Sequence, residues 1–506
     1  MSTFPVTSMN RLYYGDNLEV LRKYIKDETI DLCYIDPPFN SNRSYNQIYN
    51  NIGGEDRAQA QAFVDTWVWD ERASKGYTEI LANEQHRFSI QTVDLLKGLQ
   101  PVLKKSSLLA YLVSMTLRIT EIHRVLKPTG SFYLHCDPTA SHYLKLILDT
   151  IFVASGGDFL NEIIWHYLKW SVDQAQFVSN HDVIFFYSKT VSTDRVFNTL
   201  FVERSPSTKK RFGNAKIISS HDARGNRQPS QTAGDSLGVA MDDVWDISRV
   251  APIKQLYPTE KPFVLLERII RASTNEGDVV LDAYCGCGTT IVAAEALNRK
   301  WIGIDITYQS ISLILRRLEE QYGKSVLSRI IRSGIPQDMD SARALALKQD
   351  DRLRKEFEKW AVLTYTNNRA IINDKKGGDK GIDGVAYFLT SKSDNAKIVF
   401  QVKSGKVGRG DVSKLNNDRM RENAELAIFL TLQAPTQGMK DEAKAAGIYE
   451  HELMGRSYPR ILIVTIAEMV EQHKYLDMPM SVEVLKTAQA IDAKNDMQAE
   501  MFKDAE

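Results

Sequence analysis

Asp36-Pro37-Pro38-Phe39 closes the apolar run Ile30, Leu32, Tyr34, Ile35, placing a carboxylate, two prolines and an aromatic ring at the end of a strand-like segment. The exocyclic amino nitrogen of a nucleobase is a poor nucleophile, because its lone pair is delocalised into the ring. A catalyst must accept hydrogen bonds from that NH₂ to draw the lone pair back, and the Asp36 carboxylate with the Pro37 carbonyl is suited to this. The prolines fix φ and remove backbone donors, so that carbonyls face the ligand, while Phe39 offers a face on which an extruded base can stack. Taken alone, the same four residues also describe an Asp-Pro turn ending a strand.

A second constellation follows about 240 residues downstream, at Gly277-Asp278-Val279-Val280-Leu281-Asp282-Ala283-Tyr284-Cys285-Gly286-Cys287-Gly288-Thr289-Thr290. It reads as strand (279 to 283), glycine turn and Ala-rich helix (291 to 297), with Gly286 and Gly288 permitting a tight turn and close ligand approach. Trp301 to Ile306 is a further strand ending near Asp305. That acid follows Asp282 by 23 residues, close to the spacing at which a carboxylate receives ribose hydroxyls in nucleotide-binding α/β units. The turn has no third glycine to seat a pyrophosphate, so an adenosyl ligand without phosphates suits it better than NAD.

A third constellation lies near the carboxyl end. Gln401 and Lys403 flank Val402 in the run Ile398 to Lys403, and strand geometry projects the two from one face while Val402 enters the core. Asp383, in Gly381-Ile382-Asp383-Gly384, reaches the same edge if the two strands form a hairpin. One carboxylate, one side-chain oxygen and an amine around a divalent ion such as Mg²⁺ is a minimal set for activating water against a phosphodiester, with Lys403 steering the nucleophile.

The elements that must position these groups follow from periodicity. Ser107 to Leu126 carries Leu108, Leu112, Met115, Ile119, Ile122 and Val125 at helical spacing, a core-packing helix. Strand-like runs at 132 to 134, 183 to 187 and 302 to 304 alternate with helical stretches, which predicts an α/β fold with a mostly parallel sheet covered on both faces. Ligands in such sheets sit at the carboxyl ends of strands, where Asp36, Gly286 and Asp305 all fall. From about 195 to 255 the periodicity fades. Between Glu203 and Pro229 the bases Arg204, Lys209, Lys210, Arg211, Lys216, Arg224 and Arg227 stand against Glu203 and Asp222, a local positive patch suited to phosphates. A new, smaller α/β unit is expected from about 340 to 475, opened by the helical pattern around Phe357 to Ala361, and a charged tail from 476 to 506.

The chain has 506 residues, 43% of them hydrophobic, and 64 basic against 64 acidic side chains. That length suits two to four domains and two activities, and a nucleic-acid footprint must be local. No leader pattern and no 18-residue apolar run is present, so a soluble, cytoplasmic protein with no membrane partner is expected. Cys33, Cys136, Cys285 and Cys287 adjoin strands and read as buried small hydrophobes. Gathering Cys285, Cys287, Cys136 and His135 around zinc would require C-x-C within a ligand turn, a poor chelating geometry.

Residues 10 to 335 resemble the amino-methyltransferases that act on DNA with S-adenosylmethionine, in the subgroup whose D-P-P-F/Y element precedes the cofactor element. Further segments agree: Gly15-Asp16-Asn17, Leu126 to Ser131 leading into Phe132 to Cys136, Asn161 to Trp165, and Tyr257-Pro258-Thr259-Glu260-Lys261-Pro262. Ala283 and Tyr284 stand where the family usually has Pro and Phe. The resemblance implies a Rossmann-like fold and target recognition by about 195 to 255. It implies a catalytic pocket of Asp36, Pro37, Pro38 and Phe39, and S-adenosylmethionine held by Asp16, Lys261, Pro262, Asp282, Tyr284, Cys285, Gly286, Gly288, Thr289, Thr290 and Asp305. Adenine N6 in double-stranded DNA is the expected target, cytosine N4 the alternative. Dimerisation is frequent among such enzymes, and the sequence locates no interface. Residues 340 to 470 resemble the Mrr-like branch of the PD-(D/E)xK nucleases. That implies Asp383, Gln401 and Lys403 as catalytic residues, and Glu358 as a further one that joins Asp383 and Gln401 as a Mg²⁺ ligand. Gln401 replaces the usual acid, so an inactive DNA-holding clamp is the alternative. An RNA methyltransferase would use the same pocket, and a non-enzymatic DNA-binding subunit would need a vestigial Asp36 site.

Overall fold

A computed structural model describes residues 10–38, 67, 69–168, 177–221, 224–251, 260–347, 351–373, 381–390, 395–451 and 454–478. Phe39, Asp222, Tyr257-Pro258-Thr259, Gly377 to Lys380 and the tail from Ser481 lie outside them. Nine strands form one sheet: β1 (Asn10–Tyr14), β2 (Ile30–Ile35), β3 (Leu126–Cys136), β4 (Asp158–His166), β5 (His181–Ser188), β6 (Val244–Asp246), β7 (Val279–Asp282), β8 (Lys300–Asp305) and β9 (Ile330–Ser333). Their order is β6-β4-β5-β3-β2-β7-β8-β1-β9. All neighbours run parallel except those of β5, which is antiparallel to both β3 and β4.

Burial on both faces explains the near-continuous apolar strands. Along β2 the pleat sends Leu32 and Tyr34 into one hydrophobic cluster and Cys33 and Ile35 into the other, which Ile30 joins from beyond a register shift against β3. The second cluster is covered by α2 (Ser107–Val125), which follows α1 (Asn17–Tyr24) and buries Leu112, Met115, Ile119, Ile122 and Val125. The first is covered by α3 (Phe263–Ser273), α4 (Thr289–Ala296) and α5 (Tyr308–Tyr322).

Between β5 and β6 the chain leaves the sheet for short antiparallel pairs, the longest joining 215–221 to 227–235, before β6 returns alongside β4. Beyond β9 comes α6 (Asp351–Tyr365). A second sheet follows, in the order β10 (Ile371–Ile372), β11 (Gly384–Leu389), β12 (Asn395–Lys403), β13 (Leu426–Thr431), β14 (Ile461–Thr465). The β11/β12 pair is antiparallel with Gly384 opposite Phe400, the hairpin that Asp383 requires. The first hydrophobic cluster continues without a break from Leu12, Ile311 and Leu315 into Phe357, Trp360 and Phe400, so the two sheets share one core.

Candidate active sites

Because β3, β2, β7, β8 and β1 are adjacent and parallel, their carboxyl ends fall along one edge in that order. His135, Asp36, Asp282, Asp305 and Asp16 therefore come to a single crevice from segments far apart in sequence. Asp36 follows the last residue of β2 and is 18% exposed at its side chain, with its Oδ2 accepting from Lys261 Nζ. Lys261, expected at the adenosyl pocket, places its ammonium on the Asp36 carboxylate, at the strand end next to Asp282. Behind Asp36, His135 is wholly buried, its Nδ1 3.9 Å from Asp36 Oδ1. His135 Nε2 lies 3.2 Å from Asp182 Oδ2, the Tyr34 hydroxyl 3.0 Å from Nδ1, and the Tyr167 hydroxyl donates to Asp182 Oδ1 at 3.0 Å. A proton on Nε2 satisfies this set, since Nδ1 then accepts from Tyr34. Burial opposes ionisation of Asp182, yet the hydrogen bond from His135, with Lys261 and Tyr167, holds its carboxyl well below the usual range.

The glycine turn is shaped by backbone geometry. Gly288 has φ +77°, and a Cβ there would stand 2.5 Å from Ile314 Cγ1, so only glycine fits between β7 and α5. Gly286, at φ +46°, donates its N–H to Asp305 Oδ2 at 2.9 Å, and the Thr307 N–H and hydroxyl fill Asp305 Oδ1 at 2.9 and 3.0 Å. Asp282 accepts from the Tyr284 N–H at 3.0 Å and from Thr290. Burial pushes Asp282 up to about 7, with the nearby Asp36 and Asp305 charges adding to it, and burial pushes Asp305 up to about 6. Cys285 and Cys287 are buried, and burial raises both thiols. Thr289 is buried at the first turn of α4.

Asp16 caps α1 through the Leu18 N–H and accepts from Arg118 at 2.9 Å; Arg118 also holds Asn17, whose amide donates to the Ala283 carbonyl at 2.8 Å. Arg317 bridges the other side, donating to the Cys287 carbonyl at 2.9 Å and pairing with Glu260 at 3.1 Å, which fixes Lys261 and Pro262 beside the turn. Pro262 stands at the N-cap of α3.

The second site is separate from this crevice. The Asp383 N–H donates to the Phe400 carbonyl at 2.8 Å, and its Oδ2 accepts from the Val402 N–H at 2.6 Å. Burial, then the Asp383 charge, pushes the Glu358 carboxyl up to about 7 against the influence of Lys355, Lys403 and Arg354. Glu358, Asp383 and Lys403 are thus near enough to feel one another. Gln401 is 2% exposed and donates to the Gly381 carbonyl at 2.6 Å; its Oε1 has no partner among the described residues. Two carboxylates and an amide oxygen suit Mg²⁺, which keeps most of its waters and asks few protein ligands.

Residues 30–316 match the DNA methylase family model and residues 354–455 the restriction endonuclease model. The chain belongs to the DNA methylase family. It carries a restriction-endonuclease-type domain toward its carboxyl end, acts on DNA and takes its methyl group from S-adenosylmethionine. Among its relatives, Type II methyltransferase M.BglII of Bacillus subtilis is 25% identical over 326 residues, covering 62% of this chain and 71% of that protein. Type II methyltransferase M.BamHI of Bacillus amyloliquefaciens is 27% identical, with 59% of this chain and 55% of that one aligned. DNA adenine methyltransferase YhdJ of Escherichia coli is 25% identical, over 63% and 86%.

The crevice fits such a donor on its own chemistry. Asp16, Asp282 and Asp305 would repel a polyphosphate, whereas a ligand carrying sulfonium and ammonium charges and ribose hydroxyls complements them. His135, Asp182, Tyr167, Arg118 and Arg317 were missed as site residues by sequence reasoning. Only the His135-Cys136-Asp137 step at a strand end offered a signal, because their partners lie across the sheet. Conversely, Arg204 of the basic patch is 9% exposed and donates to the Gly213 carbonyl at 3.0 Å, a structural role within its own loop.

Proposed function

We propose that this enzyme methylates adenine N6 in double-stranded DNA, with a flipped base received beside Asp36. One relative named as an adenine methyltransferase and the D-P-P-F form support adenine. The observation that carries the reading is the alignment of Asp36 and Asp282 at the ends of adjacent parallel strands, which sets amino group and donor turn side by side. Lys261 occupies Asp36 Oδ2. Oδ1 and the Pro37 carbonyl then accept the two amino hydrogens, restoring the nitrogen lone pair. His135, held by Asp182, backs Asp36 and fixes its orientation, and Phe39 stacks on the base. When bound, S-adenosylmethionine supplies an electrophilic methyl. Asp305 and Asp16 orient it, the Gly286–Gly288 turn lets it approach the backbone, and Asp282, Tyr284, Cys285, Thr289, Thr290 and Pro262 wall its pocket. Positioning of this kind is worth orders of magnitude in rate without a strong base.

In the test, Asp36→Ala abolishes methyl incorporation into duplex oligonucleotides while calorimetric binding of S-adenosylmethionine persists; Asp182→Asn binds the donor normally and turns over about 100-fold more slowly. Wild-type turnover in Asp36→Ala removes the assignment.

The second site is proposed as a Mg²⁺-dependent phosphodiesterase, Glu358, Asp383 and Gln401 holding the ion and Lys403 the attacking water, with unmethylated DNA as substrate. Cleavage is expected to vanish in Asp383→Ala and Lys403→Ala and on chelation. The buried, backbone-directed Gln401 amide favours a second reading, an inert DNA clamp, which a chain that cuts no unmethylated DNA with any divalent metal would establish. Residues 1–335, 340–475 and 476–506 serve in this proposal as methyltransferase, nuclease and tail, with 195–255 as the target-reading part. A cytoplasmic location belongs to the proposal through the DNA substrate of the family; separately, no helix among the described residues is long and apolar enough to cross a membrane. A homodimer belongs to the proposal through resemblance alone, and light scattering decides it.

A further inference from the structure

Glu356 lies in α6, the helix that also carries Glu358, yet it faces the other way. Two positions along a helix amount to about 200° of rotation, so one carboxylate is turned to the nuclease-type site and the other to the first sheet. Glu356 is buried there with its ion-pair partner Lys359 at 3.0 Å, their side chains 10% and 7% exposed. Its Oε2 accepts the Tyr308 N–H at 2.8 Å and stands 3.5 Å from the Tyr14 hydroxyl. The two tyrosine rings meet edge to face at 5.9 Å, and the Tyr308 hydroxyl lies 3.1 Å from Thr364 Oγ1, also on α6.

Those tyrosines occupy particular places. Tyr14 ends β1, two residues before Asp16; Tyr308 opens α5, three residues after Asp305. The loops are tied together, since the Gly15 N–H donates to the Asp305 carbonyl at 2.9 Å and Thr307 closes on the Asp305 side chain. Tyr308 N–H is one of the first-turn amides of α5 with no partner inside its own helix, and Glu356 supplies the acceptor. Asp16 and Asp305, the two acids proposed to orient the donor, thus rest on loops whose far ends are held by one carboxylate from the carboxyl-terminal part of the chain.

We infer that Glu356 is a positioning residue for the donor pocket, and that through it occupancy of the pocket by S-adenosylmethionine is mechanically coupled to α6. The inference rests on the donor site proposed above. A buried carboxylate bound to an amide and an ammonium tolerates little displacement, because a lost partner leaves a charge in the core. Ordering of the Asp305–Tyr308 turn around a ligand therefore also orders α6, and by linkage anything that loosens α6 weakens the donor.

The experiment uses the full chain and S-adenosylmethionine itself. Isothermal titration gives its Kd for wild type, Glu356→Ala and Glu356→Gln, and hydrogen exchange follows the amides of 354–364 with and without ligand. We expect Glu356→Ala to bind about tenfold more weakly, Glu356→Gln, which keeps an acceptor for Tyr308, to recover part of the loss, and ligand to slow exchange in α6 of the wild type but not of Glu356→Ala. If Glu356→Ala fails to fold, Thr364→Val, which removes the Tyr308 hydroxyl contact, is to show a smaller loss of affinity with reduced α6 protection. Wild-type affinity in a folded Glu356→Ala, or α6 exchange indifferent to ligand in the wild type, overturns the coupling while leaving the donor site intact. A wild type that never binds the donor overturns both.

Discussion

Asp282 and Asp305 are carboxylates buried at the glycine turn proposed to take the donor, answered by hydroxyls and backbone N–H groups rather than by a cation. Burial lifts them to about 7 and about 6. A folded-state pKa raised above its unfolded value means that the native chain holds protons the unfolded chain has released. These two groups therefore cost stability progressively as pH climbs from about 4 to about 7. A cationic donor reverses that preference, because it favours the ionised acids. S-adenosylmethionine affinity is expected to tighten about tenfold between pH 5.5 and 7.5, with proton release seen as a dependence on buffer ionisation enthalpy in calorimetry. An affinity flat across that range contradicts the placement of either acid at the donor. Asp36 and the glycines were legible in sequence because each lies in a short run whose local geometry is diagnostic. His135 and Asp182 were not: they meet across antiparallel strands, 47 residues apart, and the His135 step at its strand end does not reveal its partner.

At the level of elements, the α/β order and the long helix over 107–125 were readable because their apolar periods are sustained. The reversal of β5 was not, since an apolar run reads the same in either direction. The pairing of Lys261 with Asp36 was not readable either, because Arg317 fixes the Lys261 segment from a helix more than 50 residues on. Gly288 offers the sharpest test here. Gly288→Ala would force a Cβ to 2.5 Å from Ile314 in a left-handed conformation. A loss of about 1–3 kcal/mol is expected, read as a lower midpoint in denaturant, together with weakened donor binding. An alanine variant of unchanged stability would mean that β7 and α5 are not packed as described.

Across the whole molecule the charges cancel, 64 against 64, and attraction for DNA must come from local features. Of the basic segment after Glu203, Arg204 is committed to its own loop and Lys209 pairs with Glu203 at 2.8 Å, while Lys210 and Arg211 are exposed. Replacing Lys210 and Arg211 by alanine is expected to weaken duplex binding alike for all sequences. The slope of log K against log salt should fall by about 2, one for each phosphate that a side chain no longer neutralises. A change confined to one target sequence would instead assign these side chains to base reading.

The unbroken core from Leu12 to Trp360 has a bearing on inheritance. Where a cutter and its protective marker are separate polypeptides, each can be lost without the other, and a cell keeping only the cutter is harmed by it. Here a premature stop ahead of α6 would strip the methylase part of Phe357, Trp360 and Glu356 as well as removing the endonuclease-type domain. Such a truncation is expected to unsettle the part that remains, so that the two pass from one generation to the next as one folded body.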